Sequence, residues 1–344
     1  MNPENIGLQI EGIRKEWGKK LLILAHHYQR PLVLAHADAV GDSLELSKLA
    51  AKHTEAERIV LCGVRFMAES ADILAGPNQT VYMPEVLAGC PMANMATEED
   101  VRQGWQTLGT LGPADWLPVV YVNSSAAIKA LCGEWGGCTC TSSNAGKVFQ
   151  WAFKQNKRVF FLPDEHLGTN TAHDLGVPDP QILPYDPRQE NGGLDRARLA
   201  AARVVFWKGF CLVHTAFTPM QIHEIRRLQP TAKIIVHPEA PKEVVRLADA
   251  HGSTSQIIQY VHAATAGSTI IVGTEVNLVA RLADEQRGRV TVKALLQSAC
   301  ANMGKTNERN LLALLQDWPA DRAIRVPPAV RQKARQALER MLSL

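Results

Sequence analysis

One feature constrains the possible fold more than any other: a unit of about one hundred residues recurs three times along the 344 positions. Apolar runs suited to strands covered on both faces stand at Leu21–Ala25, Pro118–Val122 and Lys233–Val236. Each ends in a polar or aromatic cluster: His26-His27-Tyr28, Tyr121-Val122-Asn123 and His237-Pro238-Glu239. A short helical segment follows, then a turn that opens a second helical pattern. Those turns are Gly41-Asp42-Ser43, Thr141-Ser142-Ser143 and Gly252-Ser253-Thr254. Ser43, Ser142 and Thr254 fall 17, 19 and 17 positions after His26, Asn123 and His237. Second strands are predicted at Arg58–Cys62, Arg158–Leu162 and Ser268–Val272, and each unit then reaches one cysteine: Cys90, Cys211 or Cys300.

Alternation of strand and helix makes parallel α/β units, and three copies imply three similar small domains. A coincidental likeness within one continuous doubly wound sheet is the alternative. The boundaries expected are 1–95, 96–212 and 213–302, each holding one of the three cysteines, with a C-terminal helical segment at 303–344. The middle unit is longer between its second strand and its cysteine, and Thr169–Asp195, rich in Pro, Gly, Asp and Asn, reads as an inserted loop. Ligands of α/β folds bind beyond the carboxyl ends of the strands. The three polar clusters stand there, so the three domains are expected to face one shared site.

Composition narrows the function classes. With 37 basic and 34 acidic residues the net charge is +3, too balanced for a protein that binds nucleic acid through a basic face. Met1–Lys20 is charged and lacks the apolar core of a signal peptide. Gly252–Thr274 carries no formal charge, yet it is too rich in Ser, Thr, Gln and Gly for a membrane span. Seven cysteines without a leader point to a reducing cytoplasm, where thiols are core filler, metal ligands or nucleophiles. Ala299–Thr306 imitates a phosphate loop, but Ala299 stands where its first glycine belongs and the preceding residues read as helix. No GxGxxG occurs, and Pro327–Leu344 reads as an amphipathic surface helix.

Three cysteines converging from three domains suit an iron–sulfur cluster or a zinc ion. A cubane cluster with three protein ligands keeps one iron open as a Lewis acid. Cys211-Leu212-Val213-His214 offers a CxxH alternative for zinc, and Cys138-Thr139-Cys140 reads as filler. The three Ser/Thr turns are expected to cap helices, and the free N–H groups at helix starts bind carboxylate or phosphate. His26, Tyr28, Tyr121, Asn123, His237 and Glu239 close the first strands and include acid–base groups in every unit. Glu239 is the strongest candidate for a general base; its bland reading is a first-turn helix acid.

These residues resemble the A-type quinolinate synthase family of bacterial NAD biosynthesis, from about Leu21 to Leu312. The resemblance rests on Gly41-Asp42-Ser43-Leu44, on Cys62 through Glu69, and on Cys90-Pro91-Met92-Ala93-Asn94-Met95. Tyr121 through Ser124, Thr141 through Ala145, Pro163 through Gly168, His237-Pro238-Glu239 and Gly273-Thr274-Glu275 extend it. It implies three pseudo-symmetric three-layer α/β/α domains around one central 4Fe–4S cluster held by Cys90, Cys211 and Cys300. It also implies the reaction: iminosuccinate (iminoaspartate) condenses with dihydroxyacetone phosphate, losing phosphate and two waters to give quinolinate, with no net redox change. His26, Ser43, Tyr121, Asn123, Ser142, His237, Glu239 and Thr254 would line the substrate site. Glu239 would be the chief proton carrier, with Tyr28, His26 and His237 beside it. Extra cysteines that some members carry near the last ligand are Ala294 and Gln297 here, so no thiol switch is expected there.

The implied partners are these small molecules, together with functional coupling to an aspartate oxidase or dehydrogenase that makes the imine. Two other classes stay open. One is a non-catalytic iron–sulfur sensor on the same cysteines, disfavoured because no helix-turn-helix is evident. The other is a zinc-dependent lyase built on Cys211, His214 and Cys300.

Overall fold

Every first strand predicted from the repeat becomes the second strand of its own small sheet. The structure, a computed structural model, describes residues 3–344, so the first two positions of Met1–Lys20 lie outside the described residues. In the first unit, β1 (Leu21–His26), β2 (Ala39–Gly41), β3 (Arg58–Cys62) and β4 (Thr80–Tyr82) lie in the order β2-β1-β3-β4. The second unit holds β5 (Trp116–Tyr121), β6 (Cys138–Cys140), β7 (Arg158–Leu162), β8 (Ile182–Tyr185) and β9 (Val204–Trp207), ordered β6-β5-β7-β9-β8. The third unit holds β10 (Lys233–Val236), β11 (Ala250–His251), β12 (Thr269–Gly273) and β13 (Thr291–Ala294), ordered β11-β10-β12-β13. One strand order thus serves all three units, and every pairing among these strands is parallel.

The local chemistry explains the plan. β1 and β5 are buried at every position, as strands with helices on both faces must be. The register aligns their carboxyl ends: His26 pairs with Gly41, Tyr121 with Cys140, and Val236 with His251. Packing follows the same plan. Inner faces of all three sheets merge into one apolar core, in which Leu24, Val119 and Ile235 represent the three units. The outer faces keep separate cores around Ile23, Phe160 and Ile234.

Three expectations need correction. Thr169–Asp195 is not simply a loop. It finishes a helix (Glu165–Asp174) and supplies β8, which adds an edge strand beside β9. Apolar Ile182, Leu183 and Tyr185 could bury there, and the surrounding Pro and Gly mask that short run in the sequence. The segment 303–344 is not wholly helical either. A last strand, β14 (Ala323–Ile324), pairs antiparallel with β4, so the chain returns to the first sheet before its final helix. Finally, the residues ahead of Ala299 include strand β13; they read as helical because their apolar run is too short to show a period.

The last helix, Pro328–Ser343, then lies across the second unit. It packs on helix Ala126–Glu134 so closely that a Cβ on Gly133 would stand 1.9 Å from the Lys333 carbonyl oxygen. Among the described residues no helix is long and apolar enough to cross a membrane.

Candidate active site

A cavity of about 1040 Å³, counted with its open mouth, lies where the three sheets present their carboxyl ends. All twelve residues singled out from the sequence line it. The first unit brings His26, Tyr28, Ser43 and Cys90, and the second brings Tyr121, Asn123, Ser142 and Cys211. The third brings His237, Glu239, Thr254 and Cys300. No lysine or arginine is among the residues lining it, so an anionic ligand would meet neutral N–H and O–H donors.

The repeat extends to hydrogen bonds. His26 Nδ1 accepts from the Tyr28 amide at 3.2 Å, and His237 Nδ1 accepts from the Glu239 amide at 3.3 Å. Each ring therefore carries its proton on Nε2. Burial pushes both rings down to about 3, with the His27 ring adding to this for His26 and the His214 ring for His237; both are neutral near pH 7.

Glu239 is buried and fully engaged. Tyr121 Oη donates to its Oε1, and His214 Nδ1 lies 2.7 Å from its Oε2. Burial opposes ionisation of this carboxyl, yet His214, His237 and Tyr121 more than offset it and hold it below the usual carboxylate range. A neutral His237 attracts little by charge, so the two groups that touch the carboxylate carry the effect. Burial, and then the Glu239 charge, push the Tyr121 phenol up. Burial likewise raises Tyr28.

A chain of contacts joins the two acid–base candidates. His214 Nε2 lies 3.3 Å from Thr274 Oγ1, which is 2.9 Å from Tyr28 Oη. Thr254 Oγ1 donates to that phenol at 3.3 Å. Glu239, His214, Thr274 and Tyr28 thus form one line across the first and third units. His214 also stacks on His237, with ring centroids 4.3 Å apart. Sequence reasoning weighed His214 only as a zinc ligand and assigned Thr274 no role. The CxxH spacing and the Gly273-Thr274-Glu275 stretch were the available signals.

The helix starts differ from expectation. Asp42 caps helix Ser43–Lys52 in a capping box with Glu45, and Ser253 caps Thr254–Ala263 in a box with Gln256. Ser43 and Thr254 are therefore first helical residues, not caps. Ser142 precedes the start of helix Ala145–Lys154, where Asn144 Oδ1 accepts from the Thr141 amide at 2.7 Å. In the first and third units the cap falls one residue earlier, where its side chain reaches amides two or three positions on. Asp42 does more than cap. Its Oδ2 accepts from Ser143 Oγ at 2.6 Å and from Ser255 Oγ at 2.8 Å, so one carboxylate ties the helix starts of all three units.

The thiols suit a thiolate-bound metal group. Cys90, Cys211 and Cys300 are free, half-buried, and placed after the fourth strands β4, β9 and β13. Burial pushes Cys90 up to about 12 and raises Cys211 and Cys300 as well, so each would need a cation to stand as a thiolate. Backbone N–H groups two or three residues on face each sulfur: Met92 and Ala93, His214, and Asn302 and Met303. Such donors tune sulfur ligands of iron–sulfur clusters. A zinc set forms differently from the one anticipated: the ligand atoms of Cys211, His214 and Glu239 lie within 4.8 Å of one another, and Cys300 is not in that group.

Comparison with known proteins shows the family of the chain. The family model described as Quinolinate synthetase A protein matches residues 8–343. A quinolinate synthase of Geobacillus sp. (strain WCH70) is 43% identical, the match covering 100% of this chain and 95% of that protein. Those of Bacillus subtilis (strain 168) and Corynebacterium glutamicum are 42% and 45% identical, covering 100% and 95% of this chain and 94% and 84% of theirs. Matched over nearly its whole length by both kinds of comparison, this chain belongs to the quinolinate synthetase A family of enzymes.

Proposed function

We propose that this enzyme condenses iminosuccinate with dihydroxyacetone phosphate to give quinolinate, releasing phosphate and two waters, as a step of NAD biosynthesis. The observation that carries the reading is the convergence of one cysteine and one strand-end acid–base cluster from each unit on a single cavity. Cys90, Cys211 and Cys300 would hold one 4Fe–4S cluster, which when bound supplies an open iron as Lewis acid for a substrate oxygen.

The chain's own groups would handle binding and protons. Serine and threonine hydroxyls at the helix starts (Ser43, Ser142, Thr254), with Asn123 and the Nε2–H groups of His26 and His237, meet the carboxylates and phosphate of the two substrates. Glu239, ionised, takes a proton from substrate carbon or nitrogen. Tyr28, whose phenol stays protonated, gives one to a departing oxygen. Thr274 and His214 join the two residues and can carry the proton back, so that the pair resets between steps. Three free cysteines in one cavity suit a reducing cytoplasm. Coupling to an enzyme that supplies the imine fits the small-molecule site.

The Cys211, His214 and Glu239 constellation favours a second reading, a zinc-dependent lyase. One anaerobic experiment separates the two. Purified protein is given iminosuccinate and dihydroxyacetone phosphate, and quinolinate is measured directly alongside iron, sulfide and zinc. Brown, iron-loaded protein that forms quinolinate, and loses both colour and turnover in Cys90→Ala, Cys211→Ala and Cys300→Ala, is the expected result. Colourless zinc protein, or a Cys211→Ala variant that keeps its iron and turnover, would sink it.

A further inference from the structure

The turn that carries Glu239 is held from a neighbouring unit. Asn170, in the middle of helix Glu165–Asp174, is 3% exposed. Its side-chain amide donates to the Pro238 carbonyl at 2.8 Å and to the Ala240 carbonyl at 3.0 Å. These are the carbonyls on either side of Glu239, and an Asn amide has two N–H groups, so both are used. Within the turn, the Glu239 amide donates to His237 Nδ1 and the Ala240 amide to the His237 carbonyl. The third unit supplies these inner bonds, and Asn170 supplies the outer ones from the second unit.

The helix bearing Asn170 has little freedom to move. Its cap is Asp164, whose Oδ1 accepts from the Leu167 amide at 2.6 Å. The Glu165 amide donates to the Gly209 carbonyl at 2.8 Å, two residues before Cys211. Gly168 sits against the sheet so tightly that a Cβ would lie 2.5 Å from the Phe161 ring. One helix therefore spans from the loop of Cys211 to the turn of Glu239.

We infer that Asn170 is a positioning residue for Glu239, fixing from the second unit where the carboxylate of the third unit stands. The inference rests on the proposed proton-carrying role of Glu239. Unpaired buried carbonyls would let the turn relax, and a displacement of about 1 Å at a reacting group can cost about 10²-fold in rate.

The test compares Asn170→Leu, which keeps the branched shape but has no donor, and Asn170→Ser, which keeps one short donor, with Glu239→Gln. All are assayed as cluster-loaded protein. We expect Asn170→Leu to keep cluster content and substrate KM within about threefold while kcat falls about 10²-fold, with a smaller loss for Asn170→Ser. The solvent deuterium isotope effect on kcat should rise in both variants, because proton transfer becomes slower. Packing alone predicts something else: turnover lost only in proportion to folded, cluster-loaded protein, with the isotope effect unchanged. That pattern, or wild-type kcat in Asn170→Leu, overturns the inference. Should the leucine variant not accumulate, wild-type kcat and isotope effect in Asn170→Ser overturn it equally. If Glu239→Gln itself turns over normally, the role given to Glu239 falls. If Glu239→Gln is inactive while both Asn170 variants are unaffected, only the positioning role falls.

Discussion

His26 and His237 show what burial does to a single side chain at equivalent places in two units. Burial holds each ring down to about 3 in the folded protein. In the unfolded chain each would take up a proton near its ordinary value of about 6.5. Between these limits the unfolded state binds more protons, so stability is complete above about pH 6.5 and is lost as pH falls toward about 3. Each ring should remove about 1.4 kcal/mol per pH unit across that window. Calorimetry of the cluster-loaded protein from about pH 7 to about pH 5 should show a falling Tm, less steep in His237→Gln. An identical slope in that variant would mean that His237 is accessible to protons when folded. The sequence made these two positions visible because both close a predicted strand. It could not show that their Nδ1 atoms bind the amide two residues on, which depends on backbone geometry beyond the strand.

At the scale of the helix, the distinction between a cap and the residue after it decides what a substitution reports. Ser253 accepts from the Gln256 amide at 3.4 Å, and Thr254, next in line, points its hydroxyl at Tyr28. Ser253→Ala should therefore cost about 1 kcal/mol of stability, read as a lower Tm. Thr254→Ala and Ser43→Ala leave their caps intact, so they should raise substrate KM with little change in Tm. If both classes lower Tm alike and leave KM fixed, the helix starts are structural throughout. The turns themselves were legible from Gly, Ser and Asp at equal spacing. The cap assignment was not, because in each such turn two neighbouring polar residues compete for it.

Asp42 acts on the whole molecule. Two of its hydrogen bonds cross to Ser143 and Ser255, next in sequence to Ser142 and Thr254, so it sets the spacing of the hydroxyls proposed to hold substrate. Asp42→Ser isolates this role, since serine caps helices about as well as aspartate. It cannot offer a carboxylate to both neighbours. Hydrogen bonds to a charged group contribute about 1.5–3 kcal/mol each, so losing both should lower Tm even with the cap kept, and KM for both substrates should rise about tenfold or more. Unchanged KM with full cluster content would show that the final helix, lying across the second unit, holds the units together without this tie.

The sequence by itself determined the three parallel α/β units, their first and second strands, and the twelve residues that meet at the cavity. Apolar runs, turn residues and equal spacing are local properties, and a threefold repeat shows each of them three times over. Tertiary structure alone decided which distant side chains touch. His214 on Glu239, Thr274 on Tyr28, Asn170 on the Glu239 turn and Asp42 on two serines each join residues far apart in the chain. No periodicity encodes such pairs, because they follow from how three sheets merge their inner faces into one core. The edge strand β8 and the return strand β14 were hidden for a related reason. A short strand gains its hydrogen bonds and burial only from a neighbour already in place, and here those neighbours are β9 and β4.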